Sequence, residues 1–313
     1  MSIDNKIILM GEDIGLQGGV FGTSRGLYEK YGASRVMDTP ISENSFVGAA
    51  IGAALTGLRP VVEIMYIDFI TLAMDQIVNQ AAKIKYMFGG KAKVPIVIRT
   101  QGGGGKGNAS HHSQSLEVFF CHIPGLKVVM PSTPYDAKGL LKSSIRDDNA
   151  IIFIEHKLLY NITGSIPDSN YTIPLGKADI KKEGEDISVV SISYMVNKAL
   201  SAAASLEDEG ISPEVIDLRS LYPLDIDTII SSVKKTNHLL IVHESCSRAG
   251  TGAYILKEVL PDIFDYLDSP PVILGGLDSP IPYSYVLESA IIPSEEKIVN
   301  TIKKIMHNLI KNK

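Results

Sequence analysis

Short uninterrupted apolar runs alternate with stretches of three- and four-residue apolar spacing through the first half of the chain. Residues 6–10, 35–38, 60–65, 94–100, 126–130 and 151–155 read as strands, with helical patterns between several of them. Strands this apolar, separated by helices, predict a parallel sheet covered on both faces, an α/β fold whose functional loops gather at the carboxyl ends of the strands. Residues 160–176, YNITGSIPDSNYTIPLG, are rich in turn-formers and lack periodicity, which predicts a linker. The boundary drawn there gives an N-terminal unit over 1–165, a linker over 166–176 and a second unit over 177–313. The second unit has strand patterns at 186–193, 213–217, 238–244 and 271–274. Helical patterns at 196–209, 225–235 and 295–311 make it a second, smaller α/β domain.

A length of 313 residues agrees with two domains at roughly 150 residues each. Lys and Arg total 30 against 35 Asp and Glu, and no basic run offers a face for nucleic acid, so that partner class is set aside. The longest uncharged stretch, 44–58, is rich in Gly and Ala and shorter than the roughly 18–20 apolar residues a membrane span needs. The N-terminal apolar run is too short for a signal peptide, which predicts a cytoplasmic protein without membrane attachment. Cys121 and Cys246 lie far apart with no metal-ligand spacing and read as free thiols.

Three places invite a chemical reading. The segment QGGGGKGNAS after the fourth strand contains G-x-G-x-x-G at Gly102, Gly104 and Gly107. Lys127 stands where a dinucleotide site would need an acid, and no Ser or Thr follows Lys106 as a phosphate loop requires. The glycines leave two readings open, a backbone that approaches a ligand or moves as a lid, and a flexible loop without one. His111 and His112 follow between a strand end and a helix start, where acid/base groups of α/β enzymes sit. Glu43 opens the helical stretch 44–58; by spacing alone it is a first-turn carboxylate favoured by the helix dipole, and the sharper alternative is a buried proton carrier. Residues 68–88 read as one core helix, with Met65 and Phe69 at its start as packing or pocket residues.

Longer strings carry a resemblance. Asp38-TPISENSFVGAAIGAALTGLRPVVEIM, Asp75-QIVNQAAKIKYMFGGK, the stretch from His112-SQSLEVFF to EHKLLY, and Tyr171-TIPLGKADIKKEG resemble the β subunit of the thiamine diphosphate-dependent E1 component of 2-oxo acid dehydrogenase complexes. This is a transketolase-like family, and the resemblance covers nearly the whole chain. YMFGGK, HSQSL and the 160–180 segment are most similar to acetoin dehydrogenase β subunits, with pyruvate and branched-chain enzymes next.

The resemblance implies a pyrimidine-binding N-terminal domain with a parallel sheet and a transketolase-type C-terminal α/β domain. It reverses the reading of Glu43, which becomes the carboxylate that contacts N1′ of the cofactor aminopyrimidine and activates it. Met65 and Phe69 would pack on thiamine diphosphate, and His112 would meet substrate and act in transfer to the lipoyl group. Some relatives hold a structural potassium ion at the segment matching 144–149, which implies a monovalent ion at Asp147 and Asn149, with backbone carbonyls supplying much of its site. The GDG and NN motif that binds Mg2+ and diphosphate is absent and is expected on an α subunit. The implied assembly is an α2β2 heterotetramer that serves a lipoyl-bearing E2 acyltransferase, inactive without its α chain. Relatives usually carry a further segment ahead of the strand ending in GED; here Met1 stands just before it, so the chain is naturally short or its start was placed downstream. The reading of a different class is a non-catalytic scaffold for an α partner.

Overall fold

Strand β1 (Ile7–Gly11), β2 (Val36–Asp38), β3 (Arg59–Ile64), β4 (Val97–Gly102), β5 (Leu126–Val129) and β6 (Ala150–His156) pair in parallel in the order β5-β6-β4-β3-β1-β2. The computed structural model describes residues 1–311 of the chain. Val62, Ile98 and Ile152 are buried beneath the helix Glu43–Leu55, while Val61, Val97, Ile151 and Phe153 are buried on the opposite face with Leu140. Residues alternate between two covered faces, which is why these strands read as apolar throughout.

A second sheet follows. It holds β7 (Asp179–Lys182), β8 (Ile187–Ser191), β9 (Pro213–Asp217), then β10 (Ser220–Tyr222) lies outside it, and β11 (Leu239–Cys246) and β12 (Val272–Gly276) complete the order β12-β11-β8-β9-β7. β10 instead crosses back and pairs antiparallel with β5 on the edge of the first sheet, Ser220 opposite Val129. Between the sheets, residues 162–178 form neither helix nor strand, yet Ile173 is buried and Tyr171 stacks on Tyr135 with ring centroids 4.6 Å apart. Asp136 also ties the halves together, accepting from Arg219 Nε at 2.8 Å and Lys181 Nζ at 2.8 Å. No helix among the described residues is long and apolar enough to cross a membrane.

The single helix expected over 68–88 is broken into three pieces: a 3₁₀ segment Ile67–Ala73, a π segment Asp75–Ala81 and a short α-helix Ile84–Met87. Ile67, Ile70 and Ala73 are buried at intervals of three, which suits the tight 3₁₀ turn, whereas the intervals of four at Ala73, Ile77 and Ala81 suit an ordinary α-helix equally and do not mark the π segment.

At the carboxyl edge of the central strands the apolar interior gives way to charge. Arg99 of β4 lies between Glu63 of β3 and Glu155 of β6: its guanidinium bonds Glu63 Oε2, and its Nε stands 2.6 Å from Glu155 Oε2. Thr23 Oγ1 accepts from the same guanidinium at 3.0 Å, and Tyr160 donates its hydroxyl to Glu155 at 2.8 Å. Burial, and then the Glu155 charge, push the Glu63 carboxyl above its usual range against the opposing pull of Arg99. A second buried chain runs from His243 Nδ1 to Ser245 Oγ at 2.9 Å, on to Thr251 Oγ1 at 3.1 Å and to Glu117 Oε1 at 3.0 Å. His243 is 1% exposed, and burial pushes its pKa down to about 4.

Two outcomes follow for stability. Arg99→Met leaves two carboxylates buried without their cation and should lower unfolding free energy by about 3–5 kcal/mol in urea denaturation; adding Glu63→Gln and Glu155→Gln should recover much of that loss, and a loss under 1 kcal/mol for the single change would contradict the cluster's role. His243 binds a proton more tightly when unfolded, so its contribution is present above about pH 6.5 and is lost as pH falls toward 4. Between pH 7.5 and pH 5 the wild-type chain should lose about 2 kcal/mol more than His243→Gln; equal losses in the two proteins would show that the imidazole titrates normally.

Candidate active site

The register of the first sheet brings the expected residues to one edge. Gly11, Asp38 and Glu63 are aligned across β1, β2 and β3, so Glu12, the turn leading to Glu43, and Met65 all emerge at the carboxyl ends. Glu43 begins the helix after β2 and is 8% exposed. Among the described residues no hydrogen bond or ion pair engages its carboxylate. Facing it is Glu12, whose pKa is raised by burial first and by the Glu43 and Asp13 charges next. A nearly buried acid left unengaged within its own chain is available to a group from outside.

Tyr66, directly after Met65, has φ 64°, a conformation unusual for a bulky residue. Its N–H is held by Gln101 Oε1 at 3.3 Å, and Gln101 in turn donates to Glu63 at 3.4 Å, so the Arg99 cluster supports the strained turn. The turn aims the Tyr66 ring edge-on at His112, with centroids 5.1 Å apart, and at Phe69, 6.2 Å away. Phe69 meets the His112 ring at 5.3 Å and 88°. Met65, Phe69 and His112 are half-buried. The edge-to-face packing fixes ring orientation while leaving part of each ring open, as a flat heteroaromatic ligand would need.

The segment that carries His112 is held on both sides of it. Gln114 donates to Asp68 at 2.8 Å, Lys157 Nζ bonds the His112 carbonyl, and His111 packs on its ring at 4.5 Å while lying exposed. Lys157 is 1% exposed and lies over the Tyr66 ring at 5.4 Å; burial lowers its pKa against the pull of Asp68, Glu244 and Glu288.

The glycine-rich loop is neither a free lid nor an open phosphate cradle. Its N–H groups are given to carboxylates from the second half of the chain: Gly104 to Glu244 at 2.6 Å, Gly105 and Gly107 to Glu288 at 2.8 and 3.0 Å. Glu244 also bonds His156 Nε2 at 2.8 Å. Gly103 is required by that contact, since a Cβ there would lie 2.0 Å from His156 Nε2. None of Lys157, His156, Glu244 and Glu288 stands out from local spacing, because each meets the loop only through tertiary contact.

The side-chain oxygens of Asp147 and Asn149, near which a monovalent ion is expected, all have partners within the chain. Asp147 Oδ2 is 2.5 Å from Lys127 Nζ, its Oδ1 accepts from Asn149 Nδ2 at 2.7 Å, and Asn149 Oδ1 accepts from Lys85 Nζ at 2.7 Å. Arg59 takes the carbonyls of Ile145 and Asp147, both at 2.9 Å. Donors within the chain, Lys127, Lys85, Arg59 and the Asn149 amide, engage these oxygens. Among the described residues no group of three or more His, Cys, Asp or Glu side chains is placed to hold a metal ion.

Comparison with known proteins agrees with this architecture. Residues 1–163 match the family described as the transketolase pyrimidine binding domain and residues 176–298 the transketolase C-terminal domain. The chain is 47% identical to the acetoin:2,6-dichlorophenolindophenol oxidoreductase β subunit of Bacillus subtilis, over 98% of this chain and 93% of that one. It is equally, 47%, identical to the pyruvate dehydrogenase E1 β subunit of Gracilaria tenuistipitata, over 98% and 95%. A split-gene transketolase solved as an inactive β4 tetramer shares the fold, with a TM-score of 0.77 at 20% identity over 98% of this chain and 93% of that one. The chain therefore belongs to the transketolase family, among the β subunits of the E1 components of acetoin and 2-oxo acid dehydrogenases.

Proposed function

We propose that this β subunit completes a thiamine diphosphate site at its contact with an α subunit, with Glu43, Met65, Phe69 and His112 as its contribution. The observation that carries the proposal is the nearly buried, unengaged Glu43 carboxylate on the same sheet edge as the Tyr66–Phe69–His112 ring cluster. Thiamine diphosphate, when bound, supplies a nucleophilic thiazolium carbon that protein side chains lack. Glu43 would hydrogen-bond the aminopyrimidine and hold or accept a proton there; Phe69 and Met65 would pack on that ring and exclude water. His112, with its backbone fixed by Lys157 and its ring by Tyr66 and Phe69, would face the reacting carbonyl and move protons during breakdown and transfer to a lipoyl group. Ligands for Mg2+ and the diphosphate are assigned to the α chain, in an α2β2 assembly that serves a lipoyl-bearing E2. The working division of the chain is a pyrimidine-binding unit over 1–165, a linker over 166–176 and a C-terminal unit over 177–313.

Equal identity to acetoin and pyruvate enzymes leaves the substrate to experiment. In complex with its α partner, the chain should support thiamine- and Mg2+-dependent reduction of an artificial electron acceptor with one of acetoin, pyruvate or 3-methyl-2-oxobutanoate. Turnover of none by an assembled, cofactor-bound complex would overturn the assignment in favour of a scaffold. Glu43→Gln should assemble and bind cofactor but lose about 100-fold or more in rate; an unchanged rate would remove Glu43 from the mechanism.

A further inference from the structure

The loop that ends in His112 starts with five glycines among the six residues 102–107, a composition that favours disorder because glycine has the most conformational freedom to lose. It is nonetheless held. Glu288, wholly buried on the short helix Tyr285–Ile291, spans Gly105 and Gly107 with its two oxygens, and Glu244 at the end of β11 takes Gly104. The far end of the same loop is tied by Lys157 to the His112 carbonyl. Carboxylates that accept from backbone N–H groups form strong, charge-assisted bonds, and both come from the half of the chain that carries none of the four proposed site residues.

We propose that Glu244 and Glu288 are positioning residues for His112. They clamp the loop that carries it, and they make its placement depend on the docking of the second half against the first. The proposal rests on the reading of His112 as a group that faces substrate, and it adds the device that sets its position. Neither glutamate needs to touch substrate. An open cavity of about 250 Å³ lined by Gly104, Gly105, Glu244 and Glu288 lies beside the clamp, so a small carboxylate can reach the N–H groups once a glutamate side chain is removed.

Lys106 is exposed in the middle of the loop and offers a direct readout. Trypsin cleavage of the full chain after Lys106, followed by mass spectrometry, should be at least tenfold faster in Glu288→Ala than in wild type, and tens of millimolar acetate should slow it again. Glu288→Gln, which keeps the shape and one acceptor oxygen, should fall between the two and serves if the alanine variant does not fold. In the complex with the α partner, Glu288→Ala should lower kcat at least tenfold with KM within twofold, acetate should restore part of that loss, and the double change with His112→Ala should be no slower than His112→Ala alone. Unchanged cleavage would overturn the clamp. Faster cleavage with unchanged kcat, where His112→Ala abolishes turnover, would overturn positioning while sparing the role of His112. Full activity of His112→Ala would overturn both the reading and the proposal.

Discussion

A guanidinium enclosed by two carboxylates at the carboxyl edge of the central strands is the constraint on which the rest of this arrangement depends. Arg99 joins β3, β4 and β6 where the sheet stops being apolar, and it does so out of water, where an unpaired charge would be untenable. Apolar replacements of equal volume often match or exceed the stability that such a cluster gives. What it provides is register and direction: its carboxylate Glu63 accepts from Gln101, Gln101 holds the Tyr66 N–H, and the strained Tyr66 turn sets the ring against which Phe69 and His112 pack. Strain at Tyr66 persists because buried neighbours over-determine it.

The second half of the chain does more than cover a sheet. β10 returns to the first sheet, Asp136 gathers Arg219 and Lys181 across the junction, and Glu244 and Glu288 grip the glycine loop. These are polar contacts made at long sequence separation and mostly out of water, so they are strong when complete and damaging when half made. The site edge is built jointly, with rings and Glu43 from the first half and loop restraint from the second.

Much of the fold was legible because parallel strands buried on both faces leave unbroken apolar runs; β9 falls on the expected residues 213–217 and the closing helix on 295–311. β10 was not, since Ser-Leu-Tyr has no pattern of its own and is a strand only because β5 lies beside it. The break in the helix expected over 68–88 was not legible either, because apolar intervals of three and four are also those of one continuous α-helix. The site divides the same way. Glu43 and His112 stood out through long shared strings, and spacing alone favoured a plain first-turn carboxylate at Glu43. Glu63, Arg99 and Glu155 did carry a local signal, charges set within the apolar runs VVEIM, IVIRT and IIFIE, which a fully buried strand cannot hold unpaired. Glu244 and Glu288 had none, because the loop they hold lies more than a hundred residues away.

The proposed role of Glu43 is to activate a cofactor that the chain shares with its partner. Its most direct test is the rate at which the thiazolium C2 proton of bound thiamine diphosphate exchanges with deuterium oxide in the assembled complex, measured by quenched-flow NMR before any substrate is added. The account predicts rapid exchange in the wild-type complex and exchange slower by about 100-fold or more in Glu43→Gln with cofactor still bound. Equal exchange rates in the two complexes would contradict it.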